Sequence, residues 1–318
     1  MSQATEEKKP SYESINYRIR PAKSIERKML CDSFRRLTYF SSFEQYRYIG
    51  FGSPFFADFM LFHKQLGIEK MISIEKDIEN QDRFNFNKPY KCIEMKFGES
   101  NDQLPDIDWG THRDIVWLDY DGHLDQKVLT DINTVFYNIS SGSVVTMTVN
   151  VHFRRKQELP LLKKLLKEKT PENLNSKDLE DWKAAEVCKQ IMLEEITHTL
   201  QNRNRLLNDG EKYIFQPLYY FGYKDGARML TFGGIIYSEN EAELFKNCNF
   251  TQLPYIKTED TMYLIDVPSL TYKEIRYLDS QLPHDSITEV KSPGIKSEDI
   301  TRYSTLYKYF PTFSETEI

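Results

Sequence analysis

The sequence predicts a doubly wound α/β domain on a mostly parallel sheet, and three observations lead there. Strand-like and helix-like runs alternate from about residue 45 to residue 150. The first strand runs into a short glycine turn. A β-hairpin follows where the alternation stops.

The elements read in order. Tyr48-Ile49-Gly50-Phe51-Gly52-Ser53 is a strand entering a glycine turn, and Phe55 to Leu66 fits a helix. Met71-Ile72-Ser73-Ile74-Glu75 is a second strand with an acid at its end. Tyr90 to Phe97 is a third, running into Gly98-Glu99-Ser100, and Asp114 to Leu118 a fourth, running into Asp119-Tyr120-Asp121-Gly122. Asp125 to Ser140 fits a helix, and Ser143 to Asn150 a fifth strand. After a polar helical insertion from about Gln157 to Arg205, Tyr213–Tyr223 and Arg228–Tyr237 form two β-rich runs joined by Lys224-Asp225-Gly226-Ala227. Asp-Gly between such runs is a strong hairpin signal. Five parallel strands and an antiparallel pair make seven.

In such sheets ligands sit beyond the carboxyl ends of the strands, where Glu75, Glu99, Asp119 and Asn150 fall. Gly50 and Gly52 let the backbone turn sharply and approach a ligand. The acid ending the next strand, Glu75, accepts hydrogen bonds from both hydroxyls of a ribose. Strand, glycine turn, helix, strand and acid together form a Rossmann-type half-site for a nucleoside.

Five parallel strands with a reversed pair resemble the seven-stranded core of class I S-adenosylmethionine-dependent methyltransferases, over roughly residues 45 to 240. Nicotinamide dehydrogenase domains usually lack the reversed strand. The resemblance implies S-adenosylmethionine as cofactor, held at its methionine end by Gly50 and Gly52, at its ribose by Glu75 and at its adenine by Glu99. Ser53, Lys76, Ser100 and Asp119 adjoin these positions and complete the implied cofactor set. Two positions depart from the family pattern: Tyr48 stands where an acid is usual, and Pro54 replaces a frequent third glycine. Asp58 or a basic residue near the N-terminus is then the substitute at the methionine end. The whole chain also looks like bacterial proteins described as putative O-methyltransferases of unassigned substrate. That likeness rests on Tyr17-Arg18-Ile19-Arg20-Pro21-Ala22-Lys23 and Leu118-Asp119-Tyr120-Asp121-Gly122.

The loop after the fourth strand faces the transferring methyl in methyltransferases, so Asp119, Asp121 and His123 are the catalytic candidates, with His152 a further histidine past strand five. Asp119 or His123 would take the acceptor proton. The loop lacks the prolines of the Asn/Asp-Pro-Pro-Tyr segment common in amino-methylating nucleic-acid enzymes. It more closely resembles the Asp-Ala-Asp of metal-dependent O-methyltransferases, which would place Mg2+ on Asp119, Asp121 and Asn150. Asp-x-Asp-Gly is equally an ordinary turn composition, and the expectation is no metal.

A basic segment precedes the core: Arg18, Arg20, Lys23, Arg27, Lys28, Arg35 and Arg36. With Ser24 as N-cap and Ile25, Met29, Phe34 and Leu37 on an apolar face, the basic residues fall on an exposed flank. Arg18, Arg20 and Lys23 are then candidates for a phosphate, a nucleic acid or the cofactor's carboxylate. A solvated cover helix explains the same segment equally well.

Composition suits a cytoplasmic globular protein, with 40% hydrophobic and 28% charged residues and a net charge of -6. No apolar run reaches the roughly 20 residues a bilayer span needs, and the polar opening Met1-Ser2-Gln3-Ala4-Thr5-Glu6 is no signal peptide. Cys31, Cys92, Cys188 and Cys248 lack C-x-x-C spacing, which argues against zinc knuckles and disulfides. The organisation expected is a polar tail and basic helical segment over 1–44, the core over 45–240 with its insertion at about 155–210, and an extension over 241–318. The amphipathic insertion is a lid or a homodimer face.

The reading is S-adenosylmethionine-dependent O-methyl transfer to a small-molecule or nucleotide-like acceptor. RNA methylation, or a non-catalytic cofactor-binding module in a bacterial assembly, is the alternative.

Overall fold

A computed structural model describes residues 20–154, 157–257, 259–284, 290 and 294–311. In chain order the helices and strands are α1 (Pro21–Phe34), β1 (Tyr46–Phe51), α2 (Ala57–Leu66), β2 (Lys70–Glu75), α3 (Gln81–Asn87), β3 (Ile93–Phe97), α4 (Ser100–Gln103), β4 (Arg113–Asp119), α5 (Gln126–Asn138) and β5 (Ser143–Asn150). There follow α6 (Glu158–Leu166), α7 (Lys183–Asn204), β6 (Tyr213–Asp225), β7 (Ala227–Ser238), α8 (Ala242–Asn247), β8 (Tyr263–Ile265), α9 (Tyr272–Asp279) and α10 (Ser297–Leu306).

The strands form one sheet in the order β3-β2-β1-β4-β5-β7-β6-β8. Strands β1 to β5 are parallel, and β7 runs antiparallel between β5 and β6. The doubly wound sheet with its reversed hairpin is therefore as expected, but it has eight strands rather than seven. The additional strand, β8, pairs parallel with β6 through Phe221↔Tyr263 to Tyr223↔Ile265. It covers part of what would be an open edge on a 13-residue strand.

Because strand side chains alternate, successive residues feed opposite layers. Tyr48 and Trp117 pack toward α1 and α2, in a core with Ile25, Met29, Phe34, Phe59 and Phe62. Ile49, Val116 and Leu118 pack toward α5, with Val128, Leu129, Ile132 and Phe136. The extension shares the first of these cores: Tyr255 donates to the Met29 carbonyl at 2.9 Å, and Phe250, Ile265 and Leu306 are buried in it. The Thr271 and Glu274 capping box starts α9 as its spacing predicts.

The basic segment differs from its expectation. Helix α1 begins at Pro21, not after Ser24, because proline's fixed φ suits a first helical position. The Asp225 carboxylate, at the β6–β7 turn, accepts from the Ala22 and Lys23 backbone N–H groups at 3.3 and 2.9 Å and satisfies the helix start. Ser24 thus lies inside the first turn. Of the described basic residues of this segment only Arg35 is exposed, so they do not form an exposed flank: Lys23 is buried, Lys28 donates to the Phe310 carbonyl, and Arg36 donates to the Cys248 carbonyl. Among the described residues no helix is long and apolar enough to cross a membrane.

Candidate functional site

The crevice is set by topology. The chain winds from β1 outward through β2 to β3 on one side and through β4 to β5 on the other, so the strand order reverses between β1 and β4. The carboxyl ends of β2, β1 and β4 therefore lie side by side at the switch point, the usual ligand position in open α/β sheets. They carry Glu75, the Gly50–Gly52 turn and Asp119.

Close packing explains both glycines. A Cβ at Gly50 would overlap the Tyr48 ring and hydroxyl beneath it. One at Gly52 would stand 2.7 Å from Ser73 Oγ and 3.4 Å from Glu75 Cβ. The Gly52 N–H donates to the Ile74 carbonyl at 2.8 Å, tying the turn to β2. Ser73 Oγ is fully buried there without a hydrogen-bond partner in the described structure. Past the turn, the Ser53 hydroxyl accepts from the Phe55 N–H at 3.3 Å. Phe56, fully buried, is held at φ 43°, a left-handed conformation that costs an aromatic residue about 1–3 kcal/mol. Strain of that size persists where surrounding packing dictates the loop path.

Glu75 is buried, and one oxygen accepts from the Asp77 N–H at 2.9 Å. Burial pushes its carboxyl up to about 7, against the opposing Asp77 N–H. Tyr48, where the family pattern has an acid, donates its hydroxyl to the Asp58 carboxylate. An acid thus reaches the underside of the glycine turn from α2. Burial raises the Asp58 carboxyl, and the nearby Arg27 guanidinium opposes that shift. Arg27 Nε is itself buried with no hydrogen-bond partner in the described structure.

Asp119 ends β4 with its side chain 31% exposed. Its Oδ1 accepts from Lys23 Nζ at 2.7 Å. Lys23 also reaches Glu26 Oε2 at 2.9 Å and the Tyr223 hydroxyl at 3.1 Å, and its ammonium lies 4.4 Å from the Trp117 ring centroid. The buried ammonium thus donates to Asp119 and Tyr223 and has Glu26 as a close countercharge, while Glu26 Oε2 has no hydrogen-bond partner in the described structure. Glu26 Oε1 accepts from the Thr231 hydroxyl. Thr231 in turn lies 2.7 Å from the Thr148 hydroxyl, which accepts from Trp117 Nε1 at 3.0 Å. Burial raises the Glu26 carboxyl, with Lys23 opposing and Asp119 reinforcing.

Lys76 and Glu99 are exposed, and Glu99 pairs with Lys127 at 3.4 Å. The Ser100 hydroxyl donates to Asp131 at 2.5 Å and the Tyr120 hydroxyl to the same carboxylate at 2.7 Å, which fastens the loops after β3 and β4 to α5. The Tyr120 ring meets Phe51 edge-on at 4.9 Å. His123 stacks on Phe153, its ring 4.5 Å away, and its Nδ1 lies 2.8 Å from the Asn150 carbonyl. A carbonyl only accepts, so Nδ1 carries the proton and Nε2 is the basic nitrogen of the neutral ring. Asp121 and His152 are exposed. Arg20 Nε lies 3.8 Å from Asp225. Arg18 falls outside the described residues.

Asp119 and Asn150 each commit an oxygen, to Lys23 and to the His152 N–H, respectively. No group of three His, Cys, Asp or Glu side chains gathers to hold a metal among the described residues. An ammonium bonded to the acid at the end of β4 does not fit a magnesium ligand set.

Sequence reasoning missed Glu26, Tyr223, Ser73 and the inward role of Lys23. One signal was legible: Lys23 and Glu26 stand three residues apart, in step with Ala22, Ile25 and Met29, so an ion pair lies on the apolar side of α1. Tyr223 is 200 positions from Lys23 and Ser73 lies inside an apolar strand, so only folding reveals either.

A parallel sheet with one reversed strand and a glycine turn between two acids at its switch point defines the Rossmann-like methyltransferase class. Residues 15–318 match the family described as "Putative O-methyltransferase", and the chain belongs to it. Solved structures that it resembles include the O-methyltransferase TomG from Streptomyces achromogenes in complex with SAM, at 14% identity over 65% of this chain and 78% of that one, with a TM-score of 0.37. Spermidine synthase from Thermotoga maritima resembles it at 11% identity over 70% and 62%, respectively, with a TM-score of 0.36. Both are distant, and the assignment rests on the family match. No curated protein matches the chain.

Proposed function

We propose that this protein is an S-adenosylmethionine-dependent methyltransferase that methylates a hydroxyl of a small-molecule acceptor. The observation that carries the reading is the placement of Glu75, Gly50–Gly52 and Asp119 at three adjacent strand ends, within a chain of the O-methyltransferase family.

Glu75 presents its second oxygen to the ribose hydroxyls, and Gly52 admits the nucleoside close to the backbone. The unpartnered Ser73 hydroxyl beneath Gly52 and the unpartnered Arg27 Nε beside Asp58 fit a polar ligand, the guanidinium suiting its carboxylate. Ser100 and Tyr120, both fastened to Asp131, shape the adenine side. Bound there, the cofactor supplies an electrophilic methyl group on a sulfonium. Asp119 takes the acceptor's proton with the oxygen that faces the crevice, while Lys23 holds the other. The exposed Lys76, Glu99 and Asp121 line the approach, and His123 Nε2 is a second base within the same loop. The inward use of Lys23, Lys28 and Arg36 favours a small acceptor over a polyanion.

Calorimetric titration with S-adenosylmethionine, S-adenosylhomocysteine, NAD and ATP tests the reading. Binding of the first two alone, lost in Glu75→Ala, supports it. Failure of both to bind folded protein overturns it.

A further inference from the structure

Glu26 and Lys23 belong to a helix that precedes the sheet, and the methyl-transfer reading gives neither a contact with cofactor or acceptor. Both are nevertheless buried behind Asp119, the partly exposed acid at the end of β4. The directions of the hydrogen bonds around Glu26 are fixed. Thr231 gives its single hydroxyl proton to Glu26, so Thr148 must donate to Thr231, and Trp117 Nε1 donates to Thr148. A chain of three donors therefore ends on one Glu26 oxygen, while the other faces Lys23 Nζ at 2.9 Å. Lys23 Nζ bridges onward to Asp119 at 2.7 Å. The ionised set has two negative charges and one positive charge in a space shut from solvent except at Asp119. The other ionisable groups facing it are Tyr223, from β6, with Arg20 and Asp225 behind, and on the Asp119 side Tyr48 and Asp58, with Arg27 beside them.

We propose that Asp119, Lys23 and Glu26 form a proton store that exchanges one proton against the sulfonium charge of the bound cofactor. This rests on the methyltransferase reading. When the cationic cofactor binds, the set is ionised and its net negative charge faces the sulfonium. During transfer the acceptor oxygen's lone pair forms the new O–C bond, and the S–C pair stays on sulfur, which becomes neutral. The acceptor O–H breaks, and its proton passes to Asp119. One Nζ proton of Lys23 passes to Glu26 Oε2, and the Asp119 proton replaces it on the amine. The positive charge that leaves sulfur is thus matched by a proton gained in the set, and the crevice keeps its net charge. Burial, which favours a protonated Glu26, makes the resting place an accessible one. Glu26 and Lys23 act here as positioning and storage residues behind Asp119, without touching the acceptor.

The test needs no acceptor. S-adenosylmethionine and S-adenosylhomocysteine differ only in the methyl group and its charge. Binding enthalpies measured in buffers of different ionisation heat yield the protons released by each. The proposal expects S-adenosylmethionine to release up to about one proton more than S-adenosylhomocysteine below and through the pH at which Glu26 ionises, with the difference vanishing at higher pH. In Glu26→Gln, whose amide keeps an oxygen for Thr231, the difference is lost while S-adenosylhomocysteine affinity stays within about threefold. Thr231→Val leaves the carboxyl but removes a donor to its charged form, so the difference extends to higher pH. Equal proton release by the two ligands in the wild type overturns the proposal, as does a difference that Glu26→Gln leaves intact. Should neither ligand bind folded wild-type protein, the cofactor reading itself fails and takes the proposal with it.

Discussion

The two ends of β4 carry the same chemistry in different settings. Asp114, at the amino end, accepts from Arg47 Nε at 2.8 Å and has a wholly buried side chain. Asp119, at the carboxyl end, accepts from Lys23 at 2.7 Å and stays 31% exposed. Burial pushes the Asp114 carboxyl up to about 6 even with Arg47 beside it. Around Asp114 the neighbouring charges close on one another: Arg113 pairs with Glu241 at 2.7 Å, and Glu241 also accepts from Ser141. Around Asp119 a cation is shared among three oxygen-bearing groups, and the Asp119 side chain itself remains partly open to solvent. The contrast teaches that an ion pair sealed at both members is structural, while one open on a single side can also work on a ligand.

The largest effect expected of that contrast is on stability. Asp114→Ala strands a buried guanidinium and should cost about 3–5 kcal/mol, whereas Asp119→Ala leaves Lys23 with Glu26 and should cost only about 1–2 kcal/mol. Urea denaturation of both variants checks this, and equal losses would erase the distinction between the two ends.

Next in size is Gly52→Val. Its branched side chain collides with Ser73 Oγ and Glu75, and S-adenosylhomocysteine affinity should fall roughly 100-fold, about 2.7 kcal/mol. Calorimetry beside a melting curve separates lost binding from lost fold.

Glu75 sharpens the comparison through pH. Its carboxyl is raised to about 7, so the folded protein holds a proton there that the unfolded chain has lost. The stability it contributes is present below the unfolded value and is lost as pH rises through about 7. In the proposed site ribose hydroxyls would donate to the ionised form, so cofactor affinity should instead rise with pH through about 7. Glu75→Gln should flatten both trends and weaken binding roughly tenfold, about 1.4 kcal/mol. Parallel movement of affinity and stability with pH would contradict this assignment.

The smallest effect is at His123. His123 is half-buried in a loop, where it stacks on Phe153 and meets the Asn150 carbonyl, so His123→Gln should change stability by no more than about 0.5 kcal/mol. A larger loss in thermal melting would make it a structural residue of the loop.

Most of the sheet was legible in the chain because alternation and turn chemistry are local. Short β-rich runs separated by helix-like segments mark β1 to β5, Asp225-Gly226 marks the hairpin, and Thr271 with Glu274 marks the start of α9. The eighth strand was not legible as part of the sheet. Three residues carry little pattern, and β8 exists because β6 offers an edge. The Gly50–Gly52 turn, Glu75 and Asp119 could be nominated because order along the chain dictates which strand ends meet at a switch point.

Charge roles followed another rule. A basic segment before the first strand suggested an exposed flank, since a sequence shows how many charges a helix has and not what they face. The starting point of α1 shows the limit. Pro21 announces a helix start, but the cap is Asp225, about 200 residues away, and its two bonds orient the helix so that Lys23 points inward. What the sequence alone determined was the order of elements and the acids at their ends, because these depend on neighbours along the chain. Only the tertiary structure decided that Lys23, Glu26 and Tyr223 meet Asp119, because a buried charge is tolerable only where groups distant in sequence converge to satisfy it.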